Sequence, residues 1–396
     1  MIATTLLAWL LWLLAVPAAL ACAYLLLLTL LSARLPVPAC RARTLRFDVI
    51  VPAHNEAAGI ARTVASVLAV DWPADRFRLL VVADNCSDET AKIARAAGAT
   101  VLERHDPDRR GKGYALEHAF AASAAAACAD AVLVIDADSE VSANLLAACA
   151  ARLEAGAAAV QVHNGVLNPL AAWRTRLLTI AQGAFHIVRS RARARLGVSV
   201  GIRGNGWCVT HELLRRVPFR SFSLAEDLEY GVLLGLAEVR VHYADEALAN
   251  AVMTTRASAA GSQRRRWERG RFRLIRAQAL PLLRAALTRP SAVCLDLACD
   301  LLVLPLSYVV LNVLAVAGVA LLWRWLGHPA GGWLLLCLAC TTSLLLYVLR
   351  GWRLSGVGWR GLLDLAAAPF FLAWKLAVML KPGGGSSWVR TERERP

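Results

Sequence analysis

Two aspartates one residue apart, Asp136 and Asp138 in VIDADSE, close an apolar run. On an extended backbone, side chains two residues apart project to the same side. The two carboxylates would therefore converge, and like charges that close need a cation. Hard oxygen ligands in this number suit Mg2+ or Mn2+ held jointly with substrate phosphates, where the ion offsets charge on a departing diphosphate. An isolated pair of this kind is as easily a solvated turn, so its company matters. VVADNCSDET brings Asp84 and Asp88 to the end of another apolar run, and LAEDLEYG brings Glu226 and Asp227. SQRRRWERGR sets Gln263, Arg266 and Trp267 at i, i+3 and i+4, one face of a helix. Alone, Asp88 reads as a helix cap before Thr90 and Ala91, and Glu226 with Asp227 as a solvated helix start.

The elements that must position these groups alternate in type. From Phe47 to about Tyr243, FDVIVPAH, FRLLVVAD, TVLER and AVLVIDAD are strand-like, separated by helical patterns from Glu56, Asp88 and Gly113. This alternation predicts an α/β fold with a parallel sheet. Three runs end in polar residues, His54 with Asn55, Asp84, and Asp136 with Asp138, at the carboxyl edge where open α/β sheets bind ligands. No G-x-G-x-x-G follows the first strand and no G-x-x-x-x-G-K-[ST] occurs, which removes dinucleotide and P-loop binding. There is no internal repeat, and the alanine-rich AFAASAAAACAD reads as helix.

A chain of 396 residues that is 58% hydrophobic, with mean hydropathy +0.49, is too apolar for an ordinary soluble enzyme. Thr4 to Leu31 is long enough to cross a bilayer and lacks the basic start and cleavage site of a signal peptide, so it reads as a retained anchor. Arg34, Arg41, Arg43 and Arg46 behind it place that flank in the cytoplasm. Leu301 to Trp323 and Trp333 to Leu349 form an out-and-back hairpin, returned to the cytoplasm by Arg350, Arg353 and Arg360. Leu362 to Leu380 contains Asp364, Pro369 and Lys375, which favours an interfacial or re-entrant segment over a full crossing. The expected order is a transmembrane anchor over 1–35, a cytoplasmic catalytic domain over 40–260, and the Gln263 helix with interfacial helices over 261–298. Two transmembrane helices over 299–350, an interfacial, re-entrant or transmembrane segment over 361–381 and a cytoplasmic tail over 382–396 complete it. The setting is the inner (cytoplasmic) membrane, crossed several times.

Net charge of +15 and a pI near 9.9 would suit nucleic acid, but the basic residues crowd the membrane flanks and no nucleic-acid motif accompanies them. Phospholipid is the expected partner, nucleic acid is not. The ten cysteines are scattered without zinc spacing, and the pair Cys337 and Cys340 lies in an apolar stretch where packing explains it. Free thiols suit a reduced cytoplasm.

In this order VPAHNE, ADNCSD, DADS, AED and QRRRW, from Phe47 to Trp267, resemble the motifs of membrane-integrated family 2 glycosyltransferases. That group contains cellulose, chitin, hyaluronan and poly-N-acetylglucosamine synthases and ceramide glucosyltransferases. The resemblance implies a GT-A type, mostly parallel sheet with helices on both faces, flanked by transmembrane and interfacial helices, and a UDP-sugar donor. It implies that Pro52, Ala53, Asn55, Glu56 and Asp84 line the nucleotide pocket and that Lys112 approaches the diphosphate. It assigns Asp136 and Asp138 to the metal, with Asp138 the direct ligand, and Asp227, beside Glu226, to the general base. Gln263 and Arg266 would face the donor, with the arginine near the diphosphate, and Trp267 would stack under the acceptor sugar. Gly204, Asn205 and Gly206 would form the acceptor turn. An inverting displacement needs only one carboxylate, to take the acceptor proton, and no carboxylate nucleophile, so a β-linkage would follow from an α-linked donor. Two departures stand out: the common D-D-G-S is here Ala83, Asp84, Asn85, Cys86, and AED lacks the frequent threonine.

A growing β-linked polysaccharide is the first expected acceptor, and a membrane lipid taking a single sugar the second. QVHNGVLNPL and the helix-like WRTRLLTIAQGAFHIVRSRARARLG would shape the acceptor side. Three full spans are fewer than the best-known synthases use to enclose a channel; a homo-oligomeric pore, an export partner or a lipid acceptor would each account for that. WVRTER, Trp388 to Arg393, resembles a gating segment, with a disordered basic tail the alternative. A reading of another class is a non-catalytic membrane receptor or transporter with a degenerate nucleotide fold, against which Asp138, Asp227 and Trp267 together stand. A nucleotidyltransferase would need a glycine-rich loop that VPAHNEAAG does not supply. The remaining arginines, Arg264, Arg265, Arg269 and Arg271, are expected on the other helix faces, toward phospholipid headgroups.

Overall fold

Continuous apolar runs make buried strands, and four of them build the first half of the sheet. The computed structural model describes residues 2–253, 257–370 and 373, with side chains described over 4–253 and from 268 onward. Strand β1 (Phe47–Ala53) pairs in parallel with β2 (Phe77–Asp84), from Phe47 opposite Phe77 to Ala53 opposite Ala83. Strand β3 (Thr100–Arg104) extends β2, and β4 (Ala131–Val134) flanks β1 on its other side, both in parallel. The chain thus reverses its direction of growth between β1 and β4, the place where such sheets open a crevice beyond their carboxyl ends. Alternation along β1 sends Val49 and Val51 to one core with Ile60, Val64 and Leu145, and Ile50 to the other with Leu116, Phe120 and Trp207. Helices cover both faces, so neither set of side chains meets water.

The second half departs from the expected parallel order. β5 (Ser139–Val141), β6 (Ala159–Val166), β7 (Trp207–Thr210) and β8 (Val241–Ala251) complete an eight-stranded sheet in the order β3-β2-β1-β4-β7-β6-β8-β5. Pairs β4 with β7, β6 with β7 and β5 with β8 are antiparallel, while β6 and β8 run parallel. Gly206, at φ 73°, turns the chain into β7. A Cβ there would lie 2.3 Å from Val162 Cγ2 and 2.9 Å from Ala249 Cβ.

Among the described residues, three helices are long and apolar enough to cross a membrane: Thr4–Leu30, Leu306–Trp325 and Gly331–Ser355, with hydropathies of 2.4, 2.1 and 2.0. They pack together through Leu11, Ala15, Ala18, Val313, Val316 and Cys340. The second begins later than the apolar run suggests, because Leu301 and Leu302 end a separate helix, Ala292–Leu302, and Pro305 caps the next one. The third runs on through Arg350, whose Nε donates to Ser32 Oγ at 2.8 Å. Gly351 on that helix meets the segment Gly183–Val188, a π-helical turn, so closely that a Cβ would lie 2.7 Å from Ala184 Cβ. Beyond it, Asp364 pairs with Arg176 of helix Trp173–Gln182, which fixes the start of the segment over 361–381 against the sheet domain.

One ionic cluster ties the sheet to this bundle. Arg193 of helix Arg189–Arg195 reaches Asp296 (2.5 Å) and Asp300 (3.1 Å), while Arg189 and Arg203 reach Asp300 at 3.0 and 3.3 Å. Tyr24 of the first span donates to Asp296 at 2.9 Å, and Arg189 Nε donates to Tyr347 Oη of the third at 2.9 Å. Removing one member of a buried pair typically costs about 3–5 kcal/mol, because the partner's charge stays buried. Asp300→Ala should therefore lower the thermal midpoint of the detergent-solubilised protein sharply, and an unchanged midpoint would contradict this account. Gly206→Ala should lower the midpoint too, through the Val162 clash, by destabilising the fold about 1–3 kcal/mol.

Candidate active site

The carboxyl ends of β1, β2 and β4 bring the sequence-derived groups to one crevice. After β1 the backbone turns at Asn55 (φ 57°) and after β2 at Asn85 (φ 50°), left-handed positions that asparagine tolerates. Asn55 clasps the second loop to the first: its Oδ1 accepts from Ser87 N at 2.7 Å and its Nδ2 donates to Ser87 Oγ at 3.1 Å. His54 Nδ1 donates to the Asp84 carbonyl at 2.7 Å, and Glu56 N donates to Thr90 Oγ1 at 2.7 Å. Asp88 does act at the helix start, accepting from Thr90 N at 3.0 Å, and its other oxygen accepts from Ala57 N at 3.2 Å. Asp84 Oδ1 accepts from Arg104 Nη1 at 2.6 Å and Asn85 Nδ2 at 3.0 Å, so part of this carboxylate is engaged within the chain.

Strand β4 ends two residues before Asp136. The two aspartates therefore sit on a turn, closed by Ser139 N donating to the Asp136 carbonyl at 3.1 Å, and not on extended backbone. Thr63 Oγ1 braces the turn through the Ala137 carbonyl at 2.8 Å. Asn205 braces it from the other side: its Oδ1 accepts from Asp136 N at 2.9 Å and its Nδ2 donates to Ser139 Oγ at 2.8 Å. Both carboxylates remain partly exposed on the crevice wall.

Lys112 opens helix Lys112–Ala126, and its Nζ stands 2.6 Å from Asp136 Oδ1 and 3.5 Å from Glu226 Oε1. Gly113 permits this approach, since a Cβ there would fall 2.3 Å from the Ser221 carbonyl oxygen. Burial works against the ammonium, but Asp136, Glu226 and Asp227 outweigh it and raise the Lys112 pKa. Asp227 is pushed up to about 7, first by burial and then by Glu226 beside it, with Lys112 opposing. At Gly204, φ 94°, a Cβ would crowd Asp227 Oδ2 at 3.2 Å, so the glycine leaves that carboxylate room.

The donor set fits a divalent ion shared with a substrate. Among the described residues no three His, Cys, Asp or Glu side chains gather to hold a metal, so Asp136 and Asp138 offer two carboxylates and leave the remaining positions to phosphate and water. The Lys112 ammonium on Asp136 marks this as a place where positive charge is stable.

The crevice continues into a cavity of about 1370 Å³, more than one small ligand ordinarily occupies. Pro52, Ala53, Glu56, Asp84, Lys112, Asp136, Asp138, Gly204, Asn205, Glu226 and Asp227 all line it. Two expected residues are placed elsewhere: Asn55 is spent on the Ser87 clasp, and Gly206 is packed between β6 and β8. Past Asp227 the wall becomes Phe185, His186, Arg189, Arg203 and Arg271, then Leu306, Val310 and Leu314 of the second span and Tyr347 and Val348 of the third. Burial, helped by Arg203 and other neighbours, lowers the His186 pKa.

Gln263, Arg266 and Trp267 lie on helix Ala257–Thr288, but their side chains fall outside the described residues, as do those of Arg264 and Arg265 and the whole of Trp388 to Arg393. Further along, Gly270 packs at Ala225, two residues before Asp227, so this helix runs beside that carboxylate. Arg269 is exposed, as expected. Arg271 is not: its Nη2 donates to the carbonyls of Asp300 (2.6 Å) and Val303 (2.8 Å), and it faces the cavity. The sequence held that signal, because Arg271 stands four residues beyond Trp267 and so shares its helix face. Arg104, Arg189 and Arg203, by contrast, fit no motif; the topology alone brings them here.

Residues 45–270 match the family profile described as "Glycosyltransferase like family 2". The 4,4'-diaponeurosporenoate glycosyltransferases of Staphylococcus aureus strains USA300 and N315 are 36% and 35% identical over 103 residues, 25% of this chain and 26% of theirs. The match thus spans about a quarter of these curated relatives' length. The mannosyltransferase PcManGT from Pyrobaculum calidifontis, solved in complex with GDP-Man and Mn2+, shares the fold at TM-score 0.60 and 19% identity, over 94% of this chain and 98% of that one. The sheet is accordingly GT-A-like and mixed. Because the profile spans more than half of the sequence, this chain belongs to glycosyltransferase family 2.

Proposed function

We propose that this protein is a membrane-bound inverting glycosyltransferase that passes a sugar from a nucleoside-diphosphate sugar, a UDP-sugar by its motifs, to the hydroxyl of a membrane lipid. The observation that carries the lipid acceptor is the cavity itself: one continuous space joins the Asp136 and Asp227 end to Leu306, Val310 and Leu314 on a membrane-length helix. An apolar chain can lie along that wall with its head at the base. A growing polysaccharide, first in the sequence reading, fits less well, since the three long helices turn small and apolar side chains toward each other.

The donor's diphosphate sits beside Lys112, and Arg104 with Asp84 shapes the nucleotide end. A divalent cation held by Asp136 and Asp138 supplies charge neutralisation to the departing diphosphate when bound. Asp227 takes the acceptor proton as its oxygen attacks the anomeric carbon opposite the diphosphate, which inverts that centre. Glu226 anchors Lys112 and, by its charge, helps keep Asp227 basic enough to act near neutral pH. Gln263, Arg266 and Trp267 would close the site from the helix that touches Ala225. The arginine-rich flanks, Arg34 to Arg46 and Arg350 to Arg360, support a cytoplasmic catalytic face.

Asp227→Asn should reduce transfer by at least about 100-fold, the lower range for losing a general base, while the fold persists. A variant with full nucleotide release would sink the assignment. Because the base works ionised, kcat/KM should rise as pH passes upward through about 7 and level off above it, the value to which Asp227 is pushed. The asparagine variant's residual activity should lack that acid limb. In membranes given radiolabelled UDP-sugars, label should enter the organic phase as a single-sugar product; label confined to a water-soluble polymer would reject the lipid acceptor.

A further inference from the structure

Where the cavity meets the bundle, the charges do not balance. Arg189, Arg193, Arg203 and Arg271 surround Asp296 and Asp300, four guanidinium groups to two carboxylates. The one further buried acid on this wall among the described residues, Glu268, accepts from Tyr308 at 3.3 Å, so positive charge still exceeds negative by one. Asp300 is already saturated, with Oδ1 on Arg189 and Oδ2 on both Arg193 and Arg203. Arg271 receives only backbone carbonyls on Nη2, and its Nε is buried with no partner among the described residues. Arg193 Nη2 is orphaned in the same way. Burial lowers the Arg271 pKa to about 10, although Asp300 opposes that shift. Uncompensated positive charge in a site of low polarity is costly, and an anion that enters relieves it.

Geometry gives that anion an address. The Arg203, Arg189 and Arg271 guanidinium carbons stand 4.5, 5.0 and 5.9 Å from the centre of the Phe185 ring, and all four residues line the cavity. The ring belongs to the π-helical turn Gly183–Val188, an irregularity that recurs at functional sites. Arg203 precedes Gly204, which opens onto Asp227, and the apolar wall of Leu306 and Val310 begins beyond Arg271. The cluster therefore lies between the base and the bilayer-level wall, away from the sheet edge where Lys112 serves the donor.

We propose that Arg189, Arg203 and Arg271 around Phe185 form an anion subsite, and that the acceptor is a lipid whose head group carries a phosphate or carboxylate in addition to the hydroxyl that attacks. This rests on the lipid-acceptor reading above. A group already anionic needs no base; Asp227 at Gly204 assigns attack to the hydroxyl, and the anion serves as a handle for the guanidinium forks. In the reaction the hydroxyl oxygen bonds to the anomeric carbon, the bond from that carbon to the diphosphate breaks with its electron pair leaving on the diphosphate, and the proton goes to Asp227. The handle's charge is unchanged.

The full-length protein in phosphatidylcholine vesicles is given radiolabelled UDP-sugars and one of three dopants: phosphatidylglycerol, a hydroxy fatty acid, or neutral diacylglycerol. Label should pass to a hydroxylated anionic lipid at least about tenfold faster than to diacylglycerol. The phosphatidylglycerol and hydroxy-acid arms separate a phosphate handle from a carboxylate one. Octyl phosphate, which lacks a hydroxyl, should inhibit competitively against the lipid acceptor, whereas octanol should not. Arg271→Gln should raise the acceptor KM at least about tenfold and erase the preference for charge, with Arg271→Lys restoring part of it. The octyl phosphate arm needs no variant and so holds even if Arg271→Gln folds poorly. Equal use of diacylglycerol, or no competition by octyl phosphate, overturns the anion subsite and leaves the lipid acceptor standing. Label found only in water-soluble polymer overturns both.

Discussion

The carboxylate of Asp300 is the point on which the molecule turns. It sits on a helix of the bundle side and binds Arg189, Arg193 and Arg203, of which the last enters the loop that carries Gly204. Burial alone would favour its neutral form, yet Arg193, Arg203, Arg189 and Arg271 together hold its pKa below the usual carboxylate range. Such a cluster is a weak source of net stability, because desolvating the ions consumes most of their attraction. Its use is geometric. It fixes where the sheet stands over the membrane-length helices, and hence where Asp227 meets the mouth of the apolar wall.

The same logic governs the other end of the cavity. Lys112 bridges Asp136 and Glu226, so one ammonium links the turn that would carry the metal to the helix that carries Asp227. The bridge exists only because Gly113 lets the start of its helix touch the Ser221 carbonyl. Asn205 has a corresponding role. Nearly buried, it holds the Asp136 turn and the β8 backbone together through Ser139 and the Ala249 carbonyl. What reads in the sequence as an acceptor turn is also the brace of the Asp136 turn, so a substitution at Asn205 would disturb both.

The sequence was legible where chemistry is local. Apolar runs ending in His54, Asp84 and Asp136 named β1, β2 and β4 and their common edge, because strand period and strand-end polarity are properties of a few adjacent residues. The pairing of β6, antiparallel with β7 and parallel with β8, was not legible, since Ala159 meets Val209 and Val241 across segments far apart in the chain. Arg104 and Arg203 were missed for the same reason: each is one arginine among many until the fold brings Asp84 or Asp300 to it. Arg271 was misread for a different one. Counting charge suggested a lipid-facing strip, whereas helical phase, read from Trp267, pointed it inward.

These two ends explain the unusual neighbourhood of Asp227. A base poised near neutral pH, the role proposed for Asp227, must be destabilised as an anion without being discharged outright. Burial and the Glu226 charge raise it, and Lys112 limits the rise. Lys112 is also the cation nearest the Asp136 turn, so a diphosphate arriving there competes with Asp136 and Glu226 for the same ammonium. In the proposed mechanism, a donor that draws Lys112 toward its phosphates would withdraw that restraint from Asp227 and make the carboxylate a stronger base. Basicity would then peak when a donor is in place, the moment at which deprotonating the acceptor is productive. Under that proposal the coupling would run through one lysine shared between Asp136 and Glu226.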